Sequence, residues 1–279
     1  DWSSDVCSSD LKKYKDTHSS DQGLYIDISE PVQYEYKPLP IHPYVLGLWI
    51  GDGYSSDGRY VQSNIDNIEM IQYIKEAGYD VSNPSVNSEN SERRNIIGLR
   101  SKLNENQLLK NKHIPTEYMY SSVEQRLELL RGLMDTDGSC TKKGNCEFYQ
   151  KRFSLIEQVR TLLSSLGIKS RCSCKIINGI DYYTLKFSTT KFTVFKLQRK
   201  VERQLLCKGH AKNTRLYISN ISKTDTVPVR CIQVDNDDHL FLCGKTMIPT
   251  HNTTCASAYL LWYAMFHPDQ TILVAAHKF

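Results

Sequence analysis

The chain has 279 residues, 35 Lys and Arg against 31 Asp and Glu for a net charge of +4, with 40% hydrophobic and 24% charged residues. That composition excludes collagen-like, wholly disordered and membrane-embedded chains, and the longest apolar stretch, residues 256–266, falls short of the roughly 20 residues a bilayer crossing needs. The nine cysteines are odd in number and contain no CxxC pair, so they read as the reduced thiols of a cytoplasmic protein rather than as a zinc site or a disulfide framework.

In chain order, residues 1–11 are rich in Ser and Asp and carry no apolar periodicity. The string DWSSDVCSSDL resembles the in-frame translation of a sequencing adapter and is expected to stand outside the fold, with residues 12–40 as a linker. An internal repeat follows. Leu46-Gly47-Leu48-Trp49-Ile50-Gly51-Asp52-Gly53 returns 85 residues later as Arg131-Gly132-Leu133-Met134-Asp135-Thr136-Asp137-Gly138. After the first copy, residues 65–74 have helical apolar spacing and stop near Gly78. After the second, Leu155, Ile156, Val159, Leu162 and Leu163 do the same and stop at Gly167. Residues 171–177 and 182–188 have strand character and flank Asn178-Gly179, a hairpin turn signal. Each half reads as helix, strands, helix, strands. The pair predicts a pseudo-twofold α+β domain over residues 41–213, built from two helix-strand-strand-helix halves.

The repeated octet has its own physical logic. Glycine inside a helix costs roughly 1 kcal/mol relative to alanine, and close backbone packing is the usual compensation. Two helices crossing at Gly47 and Gly132 would bring Asp52 and Asp137 side by side, with Gly53 and Gly138 expected to take left-handed caps. Paired carboxylates at helix C-termini repel each other and face the negative end of each dipole, so the site calls for cations. Residues 45–53 and 130–138 resemble the two motifs of LAGLIDADG homing endonucleases, of the kind embedded in inteins. The resemblance implies that Asp52 and Asp137 bind Mg²⁺ with help from the carbonyls of Gly51 and Thr136. It also implies a basic residue at each site, Lys112 in the Asn111–Pro115 stretch and Lys200 in the second half. The expected substrate is double-stranded DNA at the host gene lacking the insertion, cut by a monomer. The first motif departs from the family pattern at Ile50.

Between residues 191 and 215 eight basic residues face one acid, a net +7. Lys191, Lys196, Arg199 and Arg203 are expected to contact DNA phosphates, or else to line a solvated basic helix. Base reading would then fall to side chains on the two sheets entering the major groove.

From residue 214 the pattern turns to short strands, and the charge over 217–252 is three basic against four acidic residues. Asp238-His239-Leu240-Phe241 and His251-Asn252-Thr253 resemble the C-terminal splicing blocks of an intein, which implies the all-β C-terminal part of a Hint splicing domain over 214–252. In that family Asn252 cyclises onto its own carbonyl, His239 and His251 supply acid and base help, and Thr253 offers the acceptor hydroxyl. Cys231 stands where many inteins place an aspartate. The first splicing half is expected to be a missing partner, so this chain should not splice alone. Gly244-Lys245-Thr246 lacks the earlier glycine of a phosphate-binding loop, position 239 being His. Residues 253–279, a helix and then a buried-type strand, resemble the ATPase of a phage terminase large subunit, which implies a phage or prokaryotic host. The competing readings are a catalytically degenerate DNA-binding module and a part of a terminase ATPase.

Overall fold

The structure is a computed structural model describing residues 25–209, 213–218 and 240–250, with isolated positions at 225, 234, 235 and 237. The chain divides into two compact units, 28–215 and the combination of 1–27 with 216–279. Strand β1 is Tyr25–Asp27. The larger unit then runs α1 Pro43–Asp52, β2 Arg59–Ser63, α2 Asn67–Glu76, β3 Ser85–Ser88, β4 Ser91–Asn95, α3 Leu99–Glu105 and α4 Thr116–Met119. It continues with α5 Val123–Asp137, β5 Gly138–Cys140, β6 Cys146–Gln150, α6 Phe153–Ser165, β7 Ser170–Ile177, β8 Ile180–Phe187 and α7 Gln198–Gln204. In the smaller unit β9 Arg215–Tyr217 lies beside β1, and β10 Phe241–Cys243 pairs antiparallel with β11 Ile248–Thr250.

The repeat is real in three dimensions and longer than the expected helix-strand-strand-helix unit. The second half is αββαββα, because a hairpin and a closing helix follow the second long helix. The first half has the same order except that a single bridge, Gly53 to Tyr60, stands where β5 pairs with β6. The sheets are accordingly three strands, β2-β4-β3, and four strands, β5-β6-β8-β7, all antiparallel. Asn178 and Gly179, both at positive φ, make the tight turn between β7 and β8.

Helices α1 and α5 form the centre. Every residue of α1 from Pro43 to Ile50 is buried, so this helix is apolar all round, as a core helix must be. Helix α5 starts at a capping box in which Ser122 and Gln125 satisfy each other's backbone N–H groups. The helices touch main chain to main chain: a Cβ on Gly47 would lie 2.3 Å from the Leu129 carbonyl oxygen, and one on Gly132 would lie 2.2 Å from that of Tyr44. The expected left-handed caps are not formed. Gly53 (φ −75°, ψ 155°) and Gly138 (φ −97°, ψ 151°) are extended, leading each helix straight into a strand position. Glycine is needed there for space, since a Cβ would sit 2.4 Å from the carbonyl oxygens of Trp49 and Met134. Around the crossing pack Trp49, Met70, Ile74, Leu133, Met134, Phe148, Leu162 and Phe195, all almost fully buried. Each contributes roughly 1.5–3 kcal/mol by leaving water.

Arg126 of α5 is fully buried. Its guanidinium donates to the carbonyls of Ser121 (2.9 Å), Ser165 (2.7 Å) and Val32, tying the stretch before α1 to α6. Among the described residues no helix is long and apolar enough to cross a membrane.

Candidate active site

The crossing delivers Asp52 and Asp137, the last residues of α1 and α5, to one place. Gly51 and Thr136 meet there, for a Cβ on Gly51 would run into the Thr136 hydroxyl, which itself donates to the carbonyls of Gly132 and Leu133. Burial, and then the Asp137 carboxylate, push Asp52 up to about 6, against the opposing pull of Lys200 and Lys112. Asp137 is raised by burial against the pull of Lys112, Lys200 and Arg152. Both carboxylates therefore sit half-buried between the same two lysines. A group of two half-dehydrated carboxyls with nearby main-chain oxygens suits a hard divalent cation.

The lysines occupy matching cradles. Lys112 Nζ donates to the carbonyls of Ile50 (3.0 Å), Gly51 (3.2 Å) and Gly53. Lys200 Nζ donates to those of Met134 (3.0 Å), Asp135 (2.7 Å) and Gly138 (2.7 Å). In each case the ammonium occupies carbonyl groups left over at a helix C-terminus, where a cation is favoured. Burial lowers both lysines to about 8. The Gly51 carbonyl expected to face a metal thus already receives Lys112.

Four further residues escaped the sequence reading. Gln150 ends β6 and donates to Asp137 Oδ2 (3.2 Å), and Gln62 holds the matching position on β2. The signal was there: the two glutamines are 88 apart, within the 85 to 89 residue offset of the repeat. Arg152 donates to the Lys112 carbonyl (2.8 Å) and, with Asp52, Lys112 and Gln150, lines an open cleft. Asp135 is 1% exposed and does not face the cation site. It accepts from Tyr44 Oη (2.9 Å) and from the backbone N–H groups of Lys196 (3.1 Å) and Leu197 (3.2 Å), fixing the entry to α7, where Lys200 resides. Ile50 holds the equivalent position in α1 and is buried in the apolar core.

The basic stretch does not form a row of free cations. Lys191 is paired with Glu30 (2.8 Å), Lys196 with Glu128 (2.7 Å) over the Tyr44 ring, and Arg199 with Asp66 through two contacts of 2.5 Å. These acids come from far along the chain, which a count over 25 residues cannot see. Arg203 is exposed on α7. Across the four-stranded sheet Glu147, Lys186 and Arg171 stand side by side on β6, β8 and β7, with Lys186 paired to Glu147 (3.0 Å). In the smaller unit Gly244–Met247 is the turn between β10 and β11, not a phosphate-binding loop. Cys231, Asp238, His239, His251, Asn252 and Thr253 lie outside the described residues.

The chain is 35% identical over 242 residues to a replicative DNA helicase DnaB of Mycobacterium intracellulare, covering 84% of this chain and 38% of that protein. A DnaB helicase of Mycobacterium leprae matches at 51% identity over 39 residues, 14% of this chain and 6% of that protein. The chain thus spans under two fifths of the length of these relatives. Among solved structures, I-DmoI in complex with DNA and calcium aligns with a TM-score of 0.41 at 18% identity, over 58% of this chain and 95% of that one. The N-terminal LAGLIDADG domain of DUF199/WhiA aligns with a TM-score of 0.37 at 12% identity, over 63% and 88%. The segment from the first turn of α5 to the entry of α7, residues 124–197, matches the family model of the LAGLIDADG-like domain.

Proposed function

We propose that residues 28–215 are a homing endonuclease that makes double-strand breaks in DNA, carried inside an intein. The observation that supports this most directly is the pairing of Asp52 and Asp137 between two lysines, each lysine seated on the carbonyls of its own helix end. Asp52 and Asp137 would hold Mg²⁺ together with the Thr136 carbonyl. The ion, when bound, supplies Lewis acidity at the scissile phosphates and a more acidic bound water. Lys112 and Lys200, with amines brought down to about 8, stand near enough to neutrality to hold or release a proton at Nζ and to neutralise charge gathering on phosphate. Gln150 orients the Asp137 carboxylate. The outer faces of the two sheets, with Arg59, Arg93, Arg171 and Lys186, are the surfaces for reading base edges in the major groove.

Residues 214–252 are read as the C-terminal splicing segment, where Asn252 cyclises with help from His239 and His251 and frees a chain starting at Thr253. The helicase relatives, far longer than this chain, suit a segment inserted in a larger protein. Residues 253–279 still read as the start of a terminase-like ATPase.

Two experiments test these readings. The chain, supplied with Mg²⁺ and a plasmid carrying the uninterrupted host gene, is expected to linearise it at the insertion point; binding without cutting would replace the nuclease with a DNA-binding module. With the first splicing half added, mass spectrometry should find a peptide beginning at Thr253, absent in Asn252→Ala. Release undiminished by that change would sink the splicing assignment.

A further inference from the structure

Each lysine sits on the carbonyls of its own half, yet the segment that carries it is gripped by the other half. In the second half, Arg199 precedes Lys200 and gives both Nε and a terminal nitrogen to Asp66, each at 2.5 Å. Gln198 donates its backbone N–H to Glu69 Oε2 (2.8 Å), and the Lys196 carbonyl accepts from Tyr73 Oη (3.0 Å). Asp66, Glu69 and Tyr73 follow the three-and-four spacing of one helix face, and that face of α2, a first-half helix, meets residues 196–199. The reverse holds across the molecule. Arg152 donates to the Lys112 carbonyl (2.8 Å), and the Gln158 amide closes a two-way bond with the backbone of Ile114 (3.0 and 3.1 Å). Both come from α6 and its N-cap, in the second half.

The N-cap position shows that this is more than ordinary packing. Aspartate at an N-cap normally accepts from the first N–H groups of its own helix. Asp66 is the N-cap of α2, is 2% exposed, and makes no such bond; its carboxylate is turned to Arg199. Arg152 holds the N-cap position of α6, where its guanidinium, all donors, could accept from no helix N–H, and it reaches the Lys112 segment instead. The same position in both halves carries a crossed contact, with opposite charge in the two cases, and at Asp66 that contact replaces a cap the carboxylate could have made.

We propose that α2 and α6 are crossed clamps: Asp66 and Glu69 position Lys200, and Arg152 and Gln158 position Lys112, so each half sets the lysine of the other half's site. This rests on the nuclease reading for its consequence in catalysis, but the clamps themselves can be tested without DNA or metal. Metal-free protein is trace-labelled with acetic anhydride at pH 8, and the acetylation of Lys200 and Lys112 is compared by peptide mass spectrometry. Glu69→Gln, a half-buried change that should leave the fold intact, and the stronger Asp66→Asn should raise labelling of Lys200 several-fold with Lys112 unchanged. Gln158→Ala should do the converse. Both lysines rising together in either variant, or neither moving, would overturn the crossed arrangement. A strand-specific nicking assay adds the catalytic arm: the α2 and α6 variants should slow opposite strands, and equal slowing of both strands would overturn it. A wild-type protein that cuts no DNA would instead remove the nuclease reading and leave the labelling result to decide the clamps.

Discussion

The two halves of the repeat build the same aspartate-and-lysine site on different supports. In the first, a 10-residue helix enters through Pro43, carries Ile50 in the core and is served by Lys112 on a loop beside an open cleft. In the second, a 15-residue helix carries buried Asp135 and is served by Lys200 on a helix, 5% exposed. What the halves share is main-chain shape: the glycine crossing, the extended glycine after each aspartate, the three-carbonyl cradle. A leftover helix terminus needs donors of any origin, so the lysine can arrive on a loop or on a helix. The buried position two residues before each helix-terminal aspartate needs filling, and either an alkyl group or a fully satisfied carboxylate will do.

The sharpest way to break this comparison is at the aspartates. Asp52→Asn and Asp137→Asn should each abolish double-strand cutting while DNA binding persists, as read by linear product on a plasmid and by a gel shift; if one were dispensable, the halves would not be equivalent. Next, Gly47→Ala and Gly132→Ala should destabilise by about 1–3 kcal/mol each, because the added carbon meets backbone that cannot rotate away. Urea midpoints of the two variants should fall together. The position two residues before the aspartate should separate the halves. Asp135→Leu leaves two backbone N–H groups and the Tyr44 hydroxyl without an acceptor, at about 1–3 kcal/mol for each, whereas Ile50→Leu stays below about 1.5 kcal/mol; the same midpoints measure both.

Smaller effects follow from charge. Asp52 ionises near 3.8 in a free chain, while burial and then Asp137 hold it protonated up to about 6 in the fold. Between those values the unfolded chain is ionised and the folded one is not, so the stability of metal-free protein should fall as pH rises from about 4 to about 6, then level off. Thermal melts across that range should show the slope, and Asp52→Asn should reduce it. Smallest is the salt response of DNA binding. Losing a phosphate contact at exposed Arg203 should reduce the log-log slope by about 0.9, while Arg199→Gln, whose guanidinium already serves Asp66, should hardly change it.

How far the sequence could be read follows from the range of each interaction. The crossing, both aspartates and the hairpin at Asn178-Gly179 were visible because each is signalled by residues close in sequence or by the repeat itself, whereas Lys112 and Lys200 were implied only by the family resemblance. Extended Gly53 and Gly138 were misjudged because an Asp-Gly helix end suits a left-handed cap equally well; what decides is the pairing of Gly53 with Tyr60 and of Gly138 with Phe148. The fate of the basic stretch was illegible for a different reason. Its acids, Glu30, Asp66 and Glu128, lie tens of residues away and are brought in only by the fold.

Arg126 carries a consequence for the order of events in folding. Its three acceptors lie 5, 39 and 94 residues away, and an arginine cannot shed its charge to enter a dry interior. Until residues 32, 121 and 165 have converged there is nowhere for the guanidinium to go but water. Its burial is thus expected to follow the convergence of those three segments. In kinetic terms Arg126→Met should leave the refolding arm of a chevron nearly in place and move the unfolding arm, the mark of an interaction formed after the barrier.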